Sequence, residues 1–283
     1  MFPIVKTQRL ASSIKLLEVE APLIARKVKA GQFVVLRRSE QGERIPLTVA
    51  DWNRERGTLT LIFQEVGKST LELGRMGEGD EIQDLIGPLG NPSEIKHYGT
   101  VLCVGGGIGI APIYPIARAF REAGNRVLSI LGARQRELLI LEEEMRALSH
   151  ELWVTTDDGS YGRQGLVTDE LRRLLEEGDR IDMVLAIGPP VMMQAVCRLT
   201  ALHGLKTTVS LDSIMVDGTG MCGACRVTVG GKTRFVCVHG PEFDGHQVDF
   251  EEYIQRKRMY LAQERQALER FRQGGTEGKD GRG

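Results

Sequence analysis

The periodicity of apolar residues changes near Tyr98, and this change constrains the fold more than any other feature of the sequence. Before it, short apolar or alternating runs such as "GQFVVLRR" and "GTLTLIFQEV" are separated by turns rich in glycine and charge. This spacing is typical of a β-barrel or sandwich. After it, apolar strands alternate with helical stretches, which is typical of a doubly wound, mostly parallel sheet.

The sequence therefore predicts a β-barrel, then an α/β doubly wound domain, then a small loop domain and a terminal helix. A length of 283 residues suffices for two domains and a small third. The helix is either a solvated surface helix or one that docks on a partner subunit. The predicted boundaries are 1–97 for the barrel, 98–203 for the α/β domain, 204–249 for the loop domain, 250–272 for the helix and 273–283 for a polar, glycine-rich tail that stays disordered.

Composition argues against several classes of protein. The 37 Lys and Arg residues nearly balance the 38 Asp and Glu residues, and a net charge of −1 does not favour nucleic-acid binding. No apolar run approaches the roughly 20 residues of a membrane span. The start "MFPIVKTQRL" lacks the pattern of a signal peptide. We therefore expect a cytoplasmic protein with no nucleic-acid or membrane partner.

A glycine-rich turn at 103–112, "CVGGGIGIAP", follows an apolar strand and opens a helix. Glycines let backbone N–H groups approach a pyrophosphate, and a helix N-terminus favours its charge. The spacing is not G-x-G-x-x-G, so a tight turn without a ligand is the alternative. Two further loops, "TTDDGSYG" at 155–162 and "IGPPVMM" at 187–193, follow strands of the same predicted sheet. Ligands of such sheets bind at the carboxyl ends of strands.

Two segments of the barrel could hold phosphates. Arg44 in "RIPLT" is followed by the hydroxyl residue Thr48, and "VGKST" at 66–70 places glycine and hydroxyl residues before a helical stretch. The alternatives are a solvated Arg44 and a helix capped by Ser69 or Thr70.

In this order, these motifs resemble the ferredoxin–NADP reductase superfamily over roughly residues 1–200. The resemblance implies FAD in the barrel, with its pyrophosphate on Arg44 and the 67–70 amides and its ring near Thr48. The family often has tyrosine at the position of Leu47 and cysteine at that of Ile187. The FAD-binding residues expected here are Arg44, Pro46, Leu47, Thr48, Ile62, Gln64, Gly67, Lys68, Ser69 and Thr70.

The same resemblance implies a nicotinamide dinucleotide on the α/β domain. Asp157 and Asp158 would repel a 2′-phosphate and accept hydrogen bonds from a ribose diol, which favours NADH over NADPH. Arg134 and Arg136 could pair with a 2′-phosphate and argue the other way. The residues expected to bind NAD(H) are Gly105, Gly106, Gly107, Ile108, Gly109, Asp157, Asp158, Gly188, Pro189 and Met192.

Three of the five cysteines lie in "VDGTGMCGAC" at 216–225 and shortly after it. Beside a flavin they favour a [2Fe–2S] cluster, which accepts electrons singly. Asp217 stands where plant-type ferredoxin spacing has its first cysteine, so the predicted ligands are Asp217, Cys222, Cys225 and Cys237. Asp212, His239 or water could instead supply the fourth ligand, and three cysteines with His239 would also suit zinc. Cys103 and Cys197 are predicted to be core residues.

The three sites together resemble the electron-transfer subunit of dihydroorotate dehydrogenase and, more closely, the small (alpha) subunit of NADH-dependent ferredoxin–NADP oxidoreductase, also described as a sulfide dehydrogenase subunit. The aspartate at 217 and the long C-terminal helix favour the second. This resemblance implies a flavoprotein of a heterodimer that exchanges hydride between NAD(H) and FAD and passes single electrons to a larger glutamate-synthase-like partner with [4Fe–4S] clusters. The complex would perform electron bifurcation with ferredoxin. No side chain here is expected to act as an acid or base.

Three other functions remain open from the sequence. The chain could be the dihydroorotate dehydrogenase electron-transfer subunit itself, or a sulfide or polysulfide reductase subunit. It could also be a non-catalytic NAD-binding regulator with a structural zinc ion.

Overall fold

The computed structural model describes the backbone of residues 1–277 and the side chains of residues 1–273. The N-terminal part is an antiparallel sheet of seven strands with two short helices. In chain order these elements are β1 (Phe2–Ala11), β2 (Ile14–Glu20), α1 (Pro22–Ala25), β3 (Phe33–Arg37), β4 (Arg44–Asn53), β5 (Thr58–Gln64), α2 (Lys68–Gly74), β6 (Glu81–Ile82) and β7 (Asp84–Leu89).

This sheet is nearly closed into a barrel, as the sequence predicts. The strand order is β6-β1-β2-β5-β4-β3-β7, and only Gln83 separates the two end strands along the chain. The inward side chains of alternating residues fill the interior, among them Leu17, Val49 and Leu61, each fully buried.

The strands β4 and β5 pair along only half of their length. Their register runs from Asn53 opposite Thr58 to Val49 opposite Leu61, with a bulge at Ala50. Beyond Val49, residues 44–48 pair only with β3, and residues 62–64 pair only with β2. The two strands therefore part and leave an opening in the barrel wall next to the start of α2.

The second sheet has helices on both faces. Its elements are β8 (Thr100–Gly106), α3 (Ile110–Glu122), β9 (Arg126–Ala133), α4 (Glu142–Leu148), β10 (Glu151–Thr156), β11 (Arg163–Gln164), α5 (Val167–Glu176), β12 (Met183–Ile187), α6 (Pro190–Leu202) and β13 (Thr207–Ser210), with 3₁₀ turns at Gly107–Gly109 and Arg136–Leu138. The parallel strands are ordered β11-β10-β9-β8-β12-β13. The direction of winding reverses between β8 and β12, where doubly wound sheets bind ligands.

The remaining elements are β14 (Arg226–Val229), β15 (Lys232–Phe235), α7 (Val236–His239), β16 (Glu242–Asp244), α8 (Phe250–Lys257) and α9 (Leu261–Glu277). The first two strands form a hairpin that carries the cysteine loop before it and α7 after it. β16 pairs antiparallel with β13 at the edge of the α/β sheet. The loop domain is thus joined to that sheet by a shared strand pair, and β13 lies beyond the boundary predicted at residue 203.

The predicted terminal helix is two helices, because the chain turns at Arg258, Met259 and Tyr260. α8 packs against this chain itself, with Tyr253 at 1% exposure. α9 lies beside α2, where the Arg75 guanidinium is 4.3 Å from the ring centroid of Phe271. α9 also continues to Glu277, so the predicted tail begins in a helix; residues 278–283 lie outside the described part. Among residues 1–277, no helix is both long and apolar enough to cross a membrane.

Candidate nucleotide and iron–sulfur sites

The carboxyl ends of β8 and β12 lie side by side, and the glycines there allow their loops to touch. A Cβ atom on Gly109 would lie 2.3 Å from the carbonyl oxygen of Ile187, and one on Gly106 would lie 2.3 Å from the Met192 sulfur. Gly188 is packed against Met192 in the same way. The predicted residues of the two loops are therefore brought together at the point where the sheet reverses.

Gly107 differs from its neighbouring glycines because no other atom packs against it. Its φ of +55° is left-handed, and a Cβ atom there would meet nothing within 4 Å. The residue exposes backbone just before α3, whose first N–H groups have no acceptor within the helix. This arrangement suits a pyrophosphate group.

Asp157 and Asp158 follow β10, which is two strands away from β8 and about 10 Å from it. The Ser160 hydroxyl and N–H donate to Asp158 Oδ1 at 2.6 and 2.9 Å, and they lower the pKa of this carboxyl group. The guanidinium of Arg136 lies 4.9 Å from the ring centroid of Tyr161. Both residues follow the carboxyl end of β10, at the same edge of the sheet as the loops after β8 and β12.

The opening between β4 and β5 is lined by the residues expected to hold a flavin. Pro46, Leu47 and Thr48 lie on the part of β4 that does not pair with β5, and Ile62 and Gln64 lie on the part of β5 that does not pair with β4. Sequence reasoning selected these residues, but the separation of the strands depends on register and is visible only in the fold.

The start of α2 borders this opening. A Cβ atom on Gly67 would meet nothing within 4 Å, and the amides of Lys68 and Ser69 have no acceptor within the helix. The Thr70 hydroxyl accepts the Gly67 N–H at 3.0 Å, so this residue caps its helix, and Ser69 donates to Glu43. Arg44 is exposed and makes no ion pair with any residue in 1–273.

Two of the predicted cluster ligands already lie together. The Cys225 and Cys237 sulfur atoms are 3.3 Å apart, and each residue is 2% exposed. A tetrahedral ion with bonds of about 2.3 Å separates its sulfur ligands by about 3.8 Å, so this pair can share one ion after a small shift. Burial, then the neighbouring Cys225 sulfur, raises the pKa of Cys237 to about 12. Metal uptake would therefore displace a proton.

The other two predicted ligands lie on the open part of the loop. Cys222 is exposed, and its N–H donates to Asp217 Oδ2 at 2.9 Å, while Thr219 N–H donates to Oδ1 at 2.9 Å. These N–H groups lower the pKa of Asp217, which keeps the carboxylate ionised. Within residues 1–277, the four side chains are not gathered at one metal position. The loop can close around a cluster because Gly218, Gly220 and Gly223 supply left-handed φ angles.

The alternative ligands have other partners. Asp212 accepts the hydroxyl of Tyr253 at 2.5 Å and pairs with Lys257. His239 Nδ1 accepts the Phe235 N–H at 2.9 Å. Cys103 and Cys197 are buried core residues, as predicted, and burial raises the pKa of each to about 12.

The cysteine loop packs directly on the barrel. A Cβ atom on Gly218 would lie 2.8 Å from Leu89 and 3.1 Å from Val35. Val35 is the partner of Pro46 across the β3–β4 pair. The residue next to Asp217 therefore lies one strand away from the strand expected to carry the flavin.

Sequence reasoning missed Glu242 at the junction of the barrel and the sheet. Its carboxyl group accepts the Ser93 hydroxyl at 2.5 Å and lies beside Gly31 of the barrel. Burial raises its pKa to about 7, and the Ser93 hydrogen bond opposes the shift. No local pattern marks this residue, because Ser93 is 149 positions away.

We expect Glu242→Gln to remove a pH dependence of stability. Because the folded-state pKa is raised, the contribution is fully present below about pH 4.5 and is lost as pH rises through about 7. The loss in wild type amounts to at most about 3 kcal/mol. In urea unfolding at several pH values, the free energy of unfolding of the variant should therefore increase relative to that of wild type as pH rises. Parallel curves for the two proteins would contradict this assignment.

Two protein-family models match the chain. One is described as the iron–sulfur cluster binding domain of dihydroorotate dehydrogenase B and matches residues 212–249. The other is described as an oxidoreductase NAD-binding domain and matches residues 103–198. These matches confirm that the chain contains an NAD-binding domain and an iron–sulfur domain.

Curated relatives match along most of their length. The chain is 50% identical over 269 residues to a dihydroorotate dehydrogenase B (NAD(+)) electron transfer subunit homolog of Thermotoga maritima, covering 95% of this chain and 94% of the relative. It is 32% identical over 254 residues to the electron transfer subunit of Geobacillus thermodenitrificans, covering 87% and 96%.

Two solved structures are similar to the chain in fold. A chain from the structure of NADH-dependent reduced ferredoxin–NADP oxidoreductase, studied for flavin-based electron bifurcation, superposes with a TM-score of 0.91 at 47% identity, covering 96% of this chain and 98% of that one. A ferredoxin NADP+ reductase from Neisseria gonorrhoeae, solved with FAD and NADP, shares the fold at a TM-score of 0.61 and 18% identity, covering 72% and 90%. The chain therefore belongs to the family of dihydroorotate dehydrogenase B electron-transfer subunits and their homologues.

Proposed function

We propose that the chain exchanges reducing equivalents between NAD(H) and a larger redox partner, as in NADH-dependent ferredoxin–NADP oxidoreductase. FAD would take or give a hydride, and a [2Fe–2S] cluster would carry the electrons singly. The contact of Gly218 with Val35 and Leu89 supports this proposal, because it joins the cysteine loop to the barrel next to the strand proposed to hold the flavin. Hydride chemistry and single-electron transfer can then be coupled over a short distance.

The residues of the chain bind and orient the cofactors. The open backbone at Gly107 and the start of α3 would hold the dinucleotide pyrophosphate, and Asp157 and Asp158 would accept hydrogen bonds from the ribose of NADH. The opening between β4 and β5 would hold the flavin ring, with Arg44 and the 67–69 amides on its pyrophosphate. The cluster would bind Asp217, Cys222, Cys225 and Cys237.

Electrons would leave through the exposed side of the cysteine loop. Cys222 is exposed there, and Met221 and Val216 are 88% and 48% exposed. An apolar surface beside a redox centre suits a protein partner. We propose that this partner is a larger glutamate-synthase-like flavoprotein with [4Fe–4S] clusters, which forms a cytoplasmic heterodimer with this chain and reduces ferredoxin in a bifurcating reaction.

A second candidate function is electron transfer for dihydroorotate dehydrogenase. The family model at residues 212–249 favours it. The two candidates differ in the partner, so purification of the native protein under anaerobic conditions separates them. A co-purifying flavoprotein with iron–sulfur motifs supports the first candidate, and a dihydroorotate-oxidising barrel supports the second.

In the same preparation, NADH should reduce the flavin faster than NADPH. Faster reduction by NADPH would refute the role of Asp157 and Asp158.

Ligation by Asp217 is tested by Asp217→Cys. A carboxylate is a harder donor than a thiolate and favours the ferric state of the iron. Replacing it with a thiolate should therefore change both the reduction potential and the visible spectrum of the cluster. Asp244→Asn serves as the control, because Asp244 lies on β16 and accepts the His246 N–H at 3.0 Å instead. An Asp217→Cys protein with the potential and spectrum of wild type would exclude this ligand.

A further inference from the structure

Helix α8 lies beyond the iron–sulfur family match at 212–249 and still contacts the cysteine loop. Arg256 Nη2 donates to the carbonyl oxygen of Ala224 at 3.0 Å. Ala224 stands between Cys222 and Cys225 in the chain. A fixed positive charge is therefore bound to the turn that presents two of the proposed cluster ligands.

Several contacts hold this helix in place. Asp249 caps its start by accepting the Glu252 N–H at 2.9 Å, and Glu252 in turn accepts the N–H of Thr228 on β14 at 3.0 Å. These bonds connect the helix to the hairpin that follows the cysteine loop.

The other side of the helix is fixed to the start of the loop domain. The Tyr253 hydroxyl, buried at 1% exposure, donates to Asp212 Oδ1 at 2.5 Å and accepts the Asp212 N–H at 3.0 Å. Lys257 pairs with the other carboxylate oxygen of Asp212. The guanidinium of Arg256 is thus placed by a rigid element, which limits the conformational entropy lost when it binds Ala224.

A charge held here acts on the redox equilibrium. Reduction adds one negative charge to an iron–sulfur cluster, and a nearby cation stabilises the reduced form more than the oxidised form. The hydrogen bond to Ala224 also limits the orientations of the turn between Cys222 and Cys225.

We propose that Arg256 is a positioning residue of the iron–sulfur site, which orders the Cys222–Cys225 turn and raises the reduction potential of the cluster. This inference rests on the proposed cluster ligation. It assigns a function to the C-terminal helix α8 within this chain, in addition to any contact with a partner.

The test is a redox titration of the purified, cofactor-loaded full chain, followed by EPR, in wild type and three variants. Arg256→Gln removes the charge, and Arg256→Lys keeps it with a different geometry. Arg234→Gln removes a charge from a half-buried hairpin residue of the same domain. We expect Arg256→Gln to lower the equilibrium constant for one-electron reduction about tenfold, a fall of about 59 mV. Arg256→Lys should stay close to wild type, and Arg234→Gln should change the constant less than about twofold.

An unchanged potential in Arg256→Gln, or an equal shift in Arg234→Gln, overturns the proposal. If Arg256→Gln loses the cluster, Arg256→Lys decides: a retained cluster with a wild-type potential supports the proposal, and equal loss of the cluster contradicts it. Absence of an iron–sulfur EPR signal in wild type would instead refute the proposed function itself.

Discussion

Cys225→Ser is expected to abolish the iron–sulfur cluster and to leave the flavin bound. The Cys225 and Cys237 sulfur atoms are 3.3 Å apart in a buried position, and both are proposed ligands of the cluster. A serine hydroxyl is a harder donor that stays protonated near neutral pH, so the site would lose a thiolate that cannot be replaced from solvent. Iron and sulfide content should fall to near zero, while flavin content stays at one per chain.

The matched control is Cys197→Ala. Cys197 is also buried, but it packs beneath Gly245 in the core and is not a proposed ligand. This variant should keep its full iron content and lose only some stability, since a small cavity is created. A Cys225→Ser protein with wild-type iron content, or loss of the cluster in Cys197→Ala, would contradict the assignment.

Gly109→Ala is expected to disrupt the junction between β8 and β12. The added Cβ would lie 2.3 Å from the Ile187 carbonyl oxygen and 2.6 Å from its carbon atom, and this backbone belongs to the neighbouring strand. The conformation of Gly109, with φ of −63°, is open to any residue, so the effect is steric. Because the strands must separate, we expect a loss of about 3 kcal/mol in the free energy of unfolding.

The same substitution should also slow reduction of the flavin by NADH at least about tenfold, since it displaces the loop expected to hold the pyrophosphate. Gly77→Ala is the control, because the nearest atom to a Cβ there is Asp80 Oδ2 at 4.0 Å. The free energy of unfolding of that control should lie within about 0.5 kcal/mol of the wild-type value. A Gly109→Ala protein with wild-type stability and NADH kinetics would show that the two loops are not packed as described.

Much of the fold could be predicted from local pattern. The barrel and the doubly wound sheet follow from the change in apolar periodicity near Tyr98, because buried apolar residues recur at different sequence spacings in strands and in helices. The glycine turn at 105–109 was recognisable because it links an apolar strand to a helical stretch.

Long-range pairing explains what the sequence did not reveal. β16 joins β13 across the whole cysteine domain, and no local signal encodes that register. The break at 258–260 arises where α8 ends its packing on this chain and α9 turns towards α2. Glu242 forms a hydrogen bond with Ser93, and Arg256 forms one with Ala224. Both partners are distant in sequence. The spacing of Asp217 from the cysteines predicted a ligand set, of which the structure brings two sulfur atoms together.

The most direct test of the account is an EPR spectrum of the purified chain, frozen after anaerobic addition of NADH. We predict a signal from a reduced [2Fe–2S] cluster together with a bleached flavin, because in the proposed function electrons would enter from NADH at the sheet edge and leave through the cysteine loop. A chain that stays without an EPR signal and without a flavin to bleach, and that contains zinc in place of iron, would contradict the proposed function.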